Sequence, residues 1–246
     1  MIKAVIFDKD GVLLDLEATW LNSAIAMTHF IAGLTDGMHP AETFQQIIGI
    51  DEKSRRIDAD GLFAAGSMAT QFNAIAEAVP QLADQLQHDQ NIREKLRDVF
   101  LDARDETLAG VGSVANGDVI TPLKQLQMEG YKMAVLTNDS VESATRGCAD
   151  IGVSDFLEMV VGFDSGFGSK PDPKGLLAIC DALSCDPRQV AMVGDTFADR
   201  HAAEQAGAGA FIGISSVYPD TPKALEGIEH LLADLTGLPN VILSMR

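Results

Sequence analysis

Basic residues are scarce in this chain of 246 residues. Only 18 Lys and Arg stand against 36 Asp and Glu, which gives a formal net charge of −18. Binding to nucleic acid or to an anionic membrane surface needs clustered cations, so the composition argues against both as partners. A small anionic substrate stays compatible with it, because one site can be positive within a negative overall field.

Cysteine and long apolar runs are also in short supply. The three cysteines and five histidines show neither metal-ligand spacing nor a disulfide framework, and scattered cysteines are typical of a reducing compartment. No apolar run approaches the roughly 20 residues of a membrane span, and the N-terminal run is too short for a signal-peptide core. We therefore expect a cytoplasmic protein that is a monomer or a homodimer.

Short apolar runs predict buried parallel strands at 3–7, 132–136, 157–162, 190–194 and 210–214. Each run is uniformly apolar and bounded by Gly, Asp or Asn, as in a sheet that helices cover on both faces. Helical patterns separate the later runs, near 119–129, 140–151, 173–183 and 199–206. This alternation predicts an α/β fold with a doubly wound, Rossmann-like parallel sheet.

A long stretch without a clear strand pattern separates the first two predicted strands. Apolar residues recur there at helical spacing, for example between Leu82 and Phe100. So much helix between two strands of one sheet predicts an inserted helical cap domain. We place the core domain at 1–16 and 110–246, and the cap at 17–109.

Two aspartates, Asp8 and Asp10, follow the first strand one residue apart. Strand alternation places both on one side, at the carboxyl edge where open α/β sheets bind ligands. A hard cation such as Mg²⁺ would offset their repulsion. Alone, the pair could equally cap a helix or face water. By the same alternation Lys9 faces away from Asp8, and we expect it to have little effect on the chemistry.

Polar side chains follow other predicted strands as well. Thr137 and Asn138 come where a helix begins, and a helix N-terminus favours an anion. Lys170 lies in a Gly-rich loop, and Asp195 and Asp199 follow the strand at 190–194. Each feature alone has an ordinary structural explanation. All of them together, each after a predicted strand, are hard to attribute to chance.

The segments DKDGV, LTN, SKPDP and GDTFAD match, in order, the four motifs of the haloacid dehalogenase-like superfamily of phosphohydrolases. The helical insertion resembles the cap that this superfamily carries after its first strand. The resemblance covers nearly the whole chain, to about residue 235, and is highly specific for fold and reaction type. It is weakly specific for substrate.

The resemblance implies a role for each motif residue. Asp8 would be the nucleophile that forms an aspartyl-phosphate, and Asp10 the general acid and then the general base. Thr137 and Asn138 would hold the phosphoryl oxygens, and Lys170 would neutralise their charge.

The resemblance also implies a metal site. Mg²⁺ would be bound by Asp8, by the main-chain carbonyl of Asp10 and by Asp195, with Asp199 acting through water.

These features predict a Mg²⁺-dependent phosphatase for a small phosphorylated metabolite, of the phosphoglycolate or sugar phosphate type. A β-phosphoglucomutase-like phosphosugar mutase stays open as an alternative, because Val12 is frequent in that group. A dehalogenase is rejected, since those members lack an acid at the position of Asp10. A non-catalytic binding protein on the same fold disagrees with the intact set of Asp8, Asp10, Lys170 and Asp195.

The predicted cap has a cluster of cations, Lys53, Arg55 and Arg56, in the first half of its sequence. The cluster could contact a substrate carboxylate or a second phosphate. A solvated surface is the more frequent role of such clusters.

Overall fold

A computed structural model describes residues 1–58, 60–215 and 222–245. The chain forms two compact units: the core unit, Met1–Leu16 with Gly112–Arg246, and the helical unit, Glu17–Val111. The proposed assignment of these regions as a core domain and a cap domain stays a prediction. Within the described residues, no helix is long and apolar enough to cross a membrane.

The strands are β1 (Ala4–Phe7), β2 (Ile50–Asp51), β3 (Arg56–Ile57), β4 (Lys132–Leu136), β5 (Met159–Val161), β6 (Val190–Gly194), β7 (Ala210–Ile214) and β8 (His230–Leu232). Six of them form the sheet of the core unit, in the order β5-β4-β1-β6-β7-β8. All neighbouring pairs are parallel, which confirms the predicted α/β fold class. Strand β8 was not predicted, because it is a short, half-exposed edge strand without a uniformly apolar run.

The helices are α1 (Leu16–Gly33), α2 (Ala41–Ile48), α3 (Leu62–Ala65), α4 (Met68–Ala78), α5 (Ala83–Gln87), α6 (Gln90–Leu108), α7 (Ile120–Met128), α8 (Val141–Asp150), α9 (Lys174–Leu183), α10 (Phe197–Ala206) and α11 (Leu238–Ser244). Apart from the first residue of α1, helices α1–α6 belong to the helical unit. This unit also contains the antiparallel pair β2–β3, which the sequence did not predict because two-residue strands are too short to show a period.

Strand β1 lies at the centre of the core unit and is buried on both faces. Val5 and Phe7 pack into an apolar cluster with residues of α7 and α11, whereas Ala4 and Ile6 pack into another with residues of α9. This follows from the alternation of side chains along a strand. Each fully buried large apolar side chain contributes about 1.5–3 kcal/mol to stability. The end of β1 is therefore held rigidly in the core, and this fixes the position of the next residue, Asp8.

Candidate active site

The carboxyl ends of β1, β4 and β6 are neighbours in the sheet. Phe7 pairs with Val135 of β4 and with Val193 of β6. The Asp8 main-chain N–H donates to the Val193 carbonyl at 2.8 Å, which extends the ladder by one residue. Polar residues that directly follow these three strands are thus brought to one edge, as the sequence predicted.

Lys170 makes two short ion pairs at this edge. Its Nζ lies 2.6 Å from Oδ1 of Asp8 and 2.6 Å from Oδ1 of Asp199. The side chains are 3%, 8% and 0% exposed, respectively. We call these three residues the Lys170 cluster. Charges buried to this extent are stable only when they are paired and hydrogen-bonded.

Asp199 is held from a second side by the start of α10. Thr196 caps this helix, and Oδ2 of Asp199 accepts hydrogen bonds from the Thr196 main-chain N–H at 3.0 Å and from its hydroxyl at 2.6 Å. This is a capping box, in which the cap residue and the third helical residue satisfy each other. The cap fixes Asp199 so that its other oxygen meets Lys170, a direct pairing that the sequence did not predict.

Asp195 joins this group of carboxylates. Oxygens of Asp8, Asp195 and Asp199 all lie within 4.8 Å of one another, and the three residues are buried. A Cβ at Gly11, whose φ is +79°, would lie 2.1 Å from Oδ2 of Asp195, so that only glycine fits beside it. Hard oxygen donors at this spacing fit Mg²⁺. The side chain of Asp10 is not part of this group within the described residues; its predicted metal contact is through the main-chain carbonyl.

Burial and neighbouring charges set the protonation of Asp8 and Lys170. Burial raises the pKa of Asp8 to about 7, Asp199 adds to the rise, and Lys170 opposes it. Burial alone would lower the pKa of Lys170, but the Asp199 and Asp8 carboxylates raise it above its usual value. Lys170 is therefore a cation at neutral pH, and a bound divalent cation would favour the ionised form of Asp8.

Thr137 and Asn138 follow β4 at the same edge, where Ser140 caps α8. Oδ1 of Asn138 accepts from the Lys170 main-chain N–H at 2.7 Å, and its Nδ2 donates to the Lys170 carbonyl at 3.1 Å. Asn138 thus positions the backbone of Lys170. The buried Thr137 hydroxyl accepts from the Asp139 main-chain N–H at 3.1 Å. Contacts of Thr137 and Asn138 with phosphoryl oxygens stay a prediction.

Lys9 has a larger part in this site than the sequence indicated. Its Nζ lies 3.0 Å from Oδ2 of Asp10 and 2.7 Å from Oδ2 of Asp139. We call these three residues the Lys9 cluster. Strand alternation fails as a guide here because the chain has already left β1: the Lys9 carbonyl accepts from the N–H groups of Leu13 and Leu14 in a turn. The signal in the sequence is a lysine between two aspartates, just after a uniformly apolar strand.

Asn116 is a second residue that the sequence did not indicate. It is buried, and its Nδ2 donates to the Gly11 carbonyl at 2.8 Å. Its main-chain N–H donates to the Leu13 carbonyl at 2.9 Å. Asn116 therefore fixes the turn that follows Asp10, a contact between distant segments that no local pattern reveals.

The fold and these side chains together are those of an α/β phosphohydrolase. The chain belongs to the haloacid dehalogenase-like hydrolase family, whose model matches residues 2–207. The predicted family is confirmed.

Curated relatives are phosphatases. A phosphoglycolate phosphatase of Psychrobacter arcticus is 29% identical over 82% of this chain and 79% of its own length. An N-acetylmuramic acid 6-phosphate phosphatase of Pseudomonas aeruginosa is 27% identical over 84% of this chain and 79% of its own length. With the family match, these relatives confirm the predicted enzyme class, a phosphoric monoester hydrolase.

Solved structures support the fold alone, since their identities are low. A structure described as a predicted phosphoglycolate phosphatase from Haemophilus somnus has a TM-score of 0.71 and 19% identity, and the match covers 98% of this chain and 97% of that one. A candidate β-phosphoglucomutase from Thermotoga maritima has a TM-score of 0.68 and 20% identity, and both chains are covered fully. The names of the curated relatives do not favour the mutase alternative.

Proposed function

We propose that this protein hydrolyses a small phosphomonoester in a Mg²⁺-dependent reaction, through an aspartyl-phosphate on Asp8. The observation that carries the proposal is the Lys170 cluster, in which a buried carboxylate at the end of the central strand lies 2.6 Å from a buried ammonium. A carboxylate and a phosphate dianion repel each other, so the reaction needs positive charge at this point. The three carboxylates of Asp8, Asp195 and Asp199 could together hold Mg²⁺. The ion would neutralise further charge on the phosphoryl group during transfer.

In the first step, an oxygen of Asp8 attacks the phosphorus atom, and the bond from phosphorus to the leaving oxygen breaks. Asp10 donates a proton to that oxygen, so that an alcohol leaves rather than an alkoxide. Lys170 remains beside the phosphoryl oxygens and offsets the charge that spreads over them. Thr137, Asn138 and the N-terminus of α8 would bind these oxygens.

In the second step, water attacks the phosphorus atom of the aspartyl-phosphate. Asp10 accepts a proton from this water, and the bond between phosphorus and the Asp8 oxygen breaks. Inorganic phosphate leaves, and both carboxyl groups return to their starting states. One acid–base residue thus serves both steps.

The substrate class is a small phosphorylated metabolite, of the phosphoglycolate or sugar phosphate type. The names of the two curated relatives support this proposal, because one acts on each type. We propose that the region 17–109 is a cap domain that sets the choice of substrate. Cytoplasmic location and a monomeric or homodimeric state stay predictions.

A phosphate-release screen of a few dozen phosphorylated metabolites tests the proposal. We expect turnover with Mg²⁺, loss in chelator, and inhibition by Ca²⁺, which takes more ligands at longer distances than Mg²⁺. Full activity in chelator would contradict the metal assignment. A requirement for a bisphosphate activator would favour a mutase instead.

Replacement of the two catalytic carboxylates tests their roles separately. Asp8→Asn should abolish turnover of every substrate, since an amide cannot form the acyl phosphate. Asp10→Asn should impair kcat/KM for alkyl phosphates more than for aryl phosphates, whose leaving oxygen needs less protonation. Equal losses for both substrate types would argue against Asp10 as the general acid.

A further inference from the structure

Lys9 is one of the most deeply buried charged residues of the core unit, with 1% of its side chain exposed. Its ammonium group is paired with two carboxylates of separate segments, Asp10 after β1 and Asp139 between β4 and α8. Burial alone would lower the pKa of Lys9, but these two carboxylates raise it above its usual value. A buried cation with two anionic partners is costly to build and is not a surface feature.

Helix α8 packs closely against the turn that contains Lys9 and Leu14. A Cβ on Gly147 of α8 would lie 2.9 Å from Cδ1 of Leu14 and 4.0 Å from Cδ of Lys9. Glycine inside a helix costs about 1 kcal/mol relative to alanine, so a small residue here is unfavourable unless packing requires it. The close approach of Leu14 thus favours glycine at this position of α8, and Cδ of Lys9 packs beside it at ordinary contact distance.

The partners of Lys9 are themselves held in place. Oδ1 of Asp139 accepts from the Ser140 main-chain N–H at 2.7 Å, and its Oδ2 accepts from Lys9 at 2.7 Å. Burial alone would raise the pKa of Asp139, but Lys9 and these hydrogen bonds keep it below its usual value. Asp139 is therefore an anionic anchor that connects Lys9 to the loop bearing Thr137 and Asn138.

We propose that Lys9 is a positioning residue that holds the Asp10 carboxyl group in place for proton transfer, with Asp139 as its anchor. This inference rests on the proposed function, in which Asp10 protonates the leaving oxygen. Proton transfer needs the carboxyl group within hydrogen-bond distance of that oxygen. Without Lys9, Asp10 and Asp139 would be neighbouring carboxylates that repel each other, and Asp10 would lose a contact that restricts its side-chain rotation.

The test is the leaving-group dependence of kcat/KM in Lys9→Met, which removes the charge and keeps most of the length of the side chain. The substrates are the best alkyl phosphate of the screen, phosphoglycolate first, and 4-nitrophenyl phosphate. A positioned general acid contributes about 10²–10⁴-fold, so partial loss of its position should lower kcat/KM about tenfold or more for the alkyl phosphate. We expect a loss of less than about threefold for the aryl phosphate, which depends little on the acid.

Asp139→Asn is the second variant, and it decides the matter if Lys9→Met does not fold. It removes the anchor and leaves Lys9 and Asp10 unchanged, so we expect a smaller loss that is again selective for the alkyl phosphate. Lys132→Met is the matched control, because Nζ of Lys132 donates to the Leu183 carbonyl at 2.6 Å and contacts neither catalytic aspartate in the described hydrogen bonds and ion pairs. Its ratio of alkyl to aryl rates should equal that of the wild type.

The outcomes separate this inference from the proposed function. Equal losses on both substrates in Lys9→Met and Asp139→Asn, with an active wild type, overturn the role of Lys9 alone. A wild type that releases no phosphate from any phosphomonoester with Mg²⁺ overturns the proposed function, and the role of Lys9 with it. The positioning role is supported if Lys9→Met and Asp139→Asn both lose kcat/KM selectively for the alkyl phosphate and Lys132→Met does not.

Discussion

Two buried lysines stand at the same edge of the sheet, and each is paired with two aspartates. Lys170 binds Asp8 and Asp199 at equal distances of 2.6 Å, whereas Lys9 binds Asp139 at 2.7 Å and Asp10 at 3.0 Å. The partners of Lys170 are 8% and 0% exposed, but those of Lys9 are both 19% exposed. The same grouping of charges therefore occurs once in a nearly dry environment and once beside water.

The difference indicates two uses for one arrangement. In the Lys170 cluster the ammonium group compensates carboxylate charge that would otherwise be strongly destabilised in a low dielectric. In the proposed reaction it also offsets the charge that develops on the phosphoryl group. In the Lys9 cluster the charges are partly hydrated, so their mutual attraction is weaker and their main contribution is geometric. The predictions below test this contrast, from the largest expected effect to the smallest.

Replacing an aspartate of each cluster should separate chemistry from positioning. Asp8→Asn should lower the rate of phosphate release by at least about 10⁴-fold, as loss of a nucleophile does in other enzymes. Asp139→Asn should leave turnover of 4-nitrophenyl phosphate within about threefold of wild type, since Asp139 takes no part in bond making. Steady-state assays with Mg²⁺ measure both. Similar losses of activity in the two variants would contradict the division into a chemical cluster and a positioning cluster.

Removing each ammonium group should reveal the difference in burial. Lys170→Met leaves two dry carboxylates without their cation, which should cost about 3–5 kcal/mol in the free energy of unfolding. Lys9→Met should cost about 1–2 kcal/mol, because its partners keep part of their hydration. Urea unfolding in chelator measures both. A loss for Lys9→Met as large as that for Lys170→Met would contradict the ranking.

The raised pKa of Asp8 predicts a pH dependence in the metal-free protein. The folded state keeps the proton on Asp8 up to about pH 7, whereas the unfolded state releases it near the ordinary aspartate pKa of 3.8. This contribution to stability is complete at low pH and is lost as the pH rises through 7. Asp8→Asn does not titrate, so its stability relative to wild type should grow over this range, by at most about 4 kcal/mol.

Urea midpoints of wild type and Asp8→Asn at several pH values, all in chelator, give this difference. Addition of Mg²⁺ is the control, because a bound cation should lower the pKa of Asp8 and weaken the dependence in wild type. A difference that is flat with pH would show that Asp8 is ionised in the metal-free site.

The exposed cations of the helical unit should have the smallest effect. Nη2 of Arg55 donates to Oδ1 of Asn22 at 2.8 Å in an exposed position. Arg55→Ala should change the free energy of unfolding by less than about 0.5 kcal/mol, as is usual for surface polar contacts. Thermal unfolding with and without salt measures this. A selective loss of activity on carboxylate-bearing substrates would instead assign Arg55 to substrate binding.

The sequence predicts those features of the fold that are encoded within one segment. Each uniformly apolar run became a strand, and the residues directly after β1, β4 and β6 came together because parallel strands end at one edge. Strands β2, β3 and β8 were missed since they are very short and lack a period. The shortness of these strands, rather than their residue types, prevented their prediction.

The missed parts of the site depend on pairs of distant residues. Lys9 meets Asp139 because they follow the neighbouring strands β1 and β4, and Asn116 meets Gly11 from a distant segment of the chain. No local pattern connects either pair. Asn138 was predicted as a phosphate ligand, and its amide bonds the main chain of Lys170. Residue type indicated that these positions matter, but only the fold shows what each one contacts.

The strand order determines how late in synthesis this site can form. Ala4 of β1 pairs with Lys132 and with Val190, which both belong to the second half of the chain. At about 5–20 residues per second, β1 leaves the ribosome on the order of ten seconds before its first neighbour is made. Throughout that interval its apolar side chains and both of its edges are open to wrong partners. The nascent chain is thus a natural client for a chaperone that binds short apolar segments, and Asp8 can gain its catalytic surroundings only after β6 has been added.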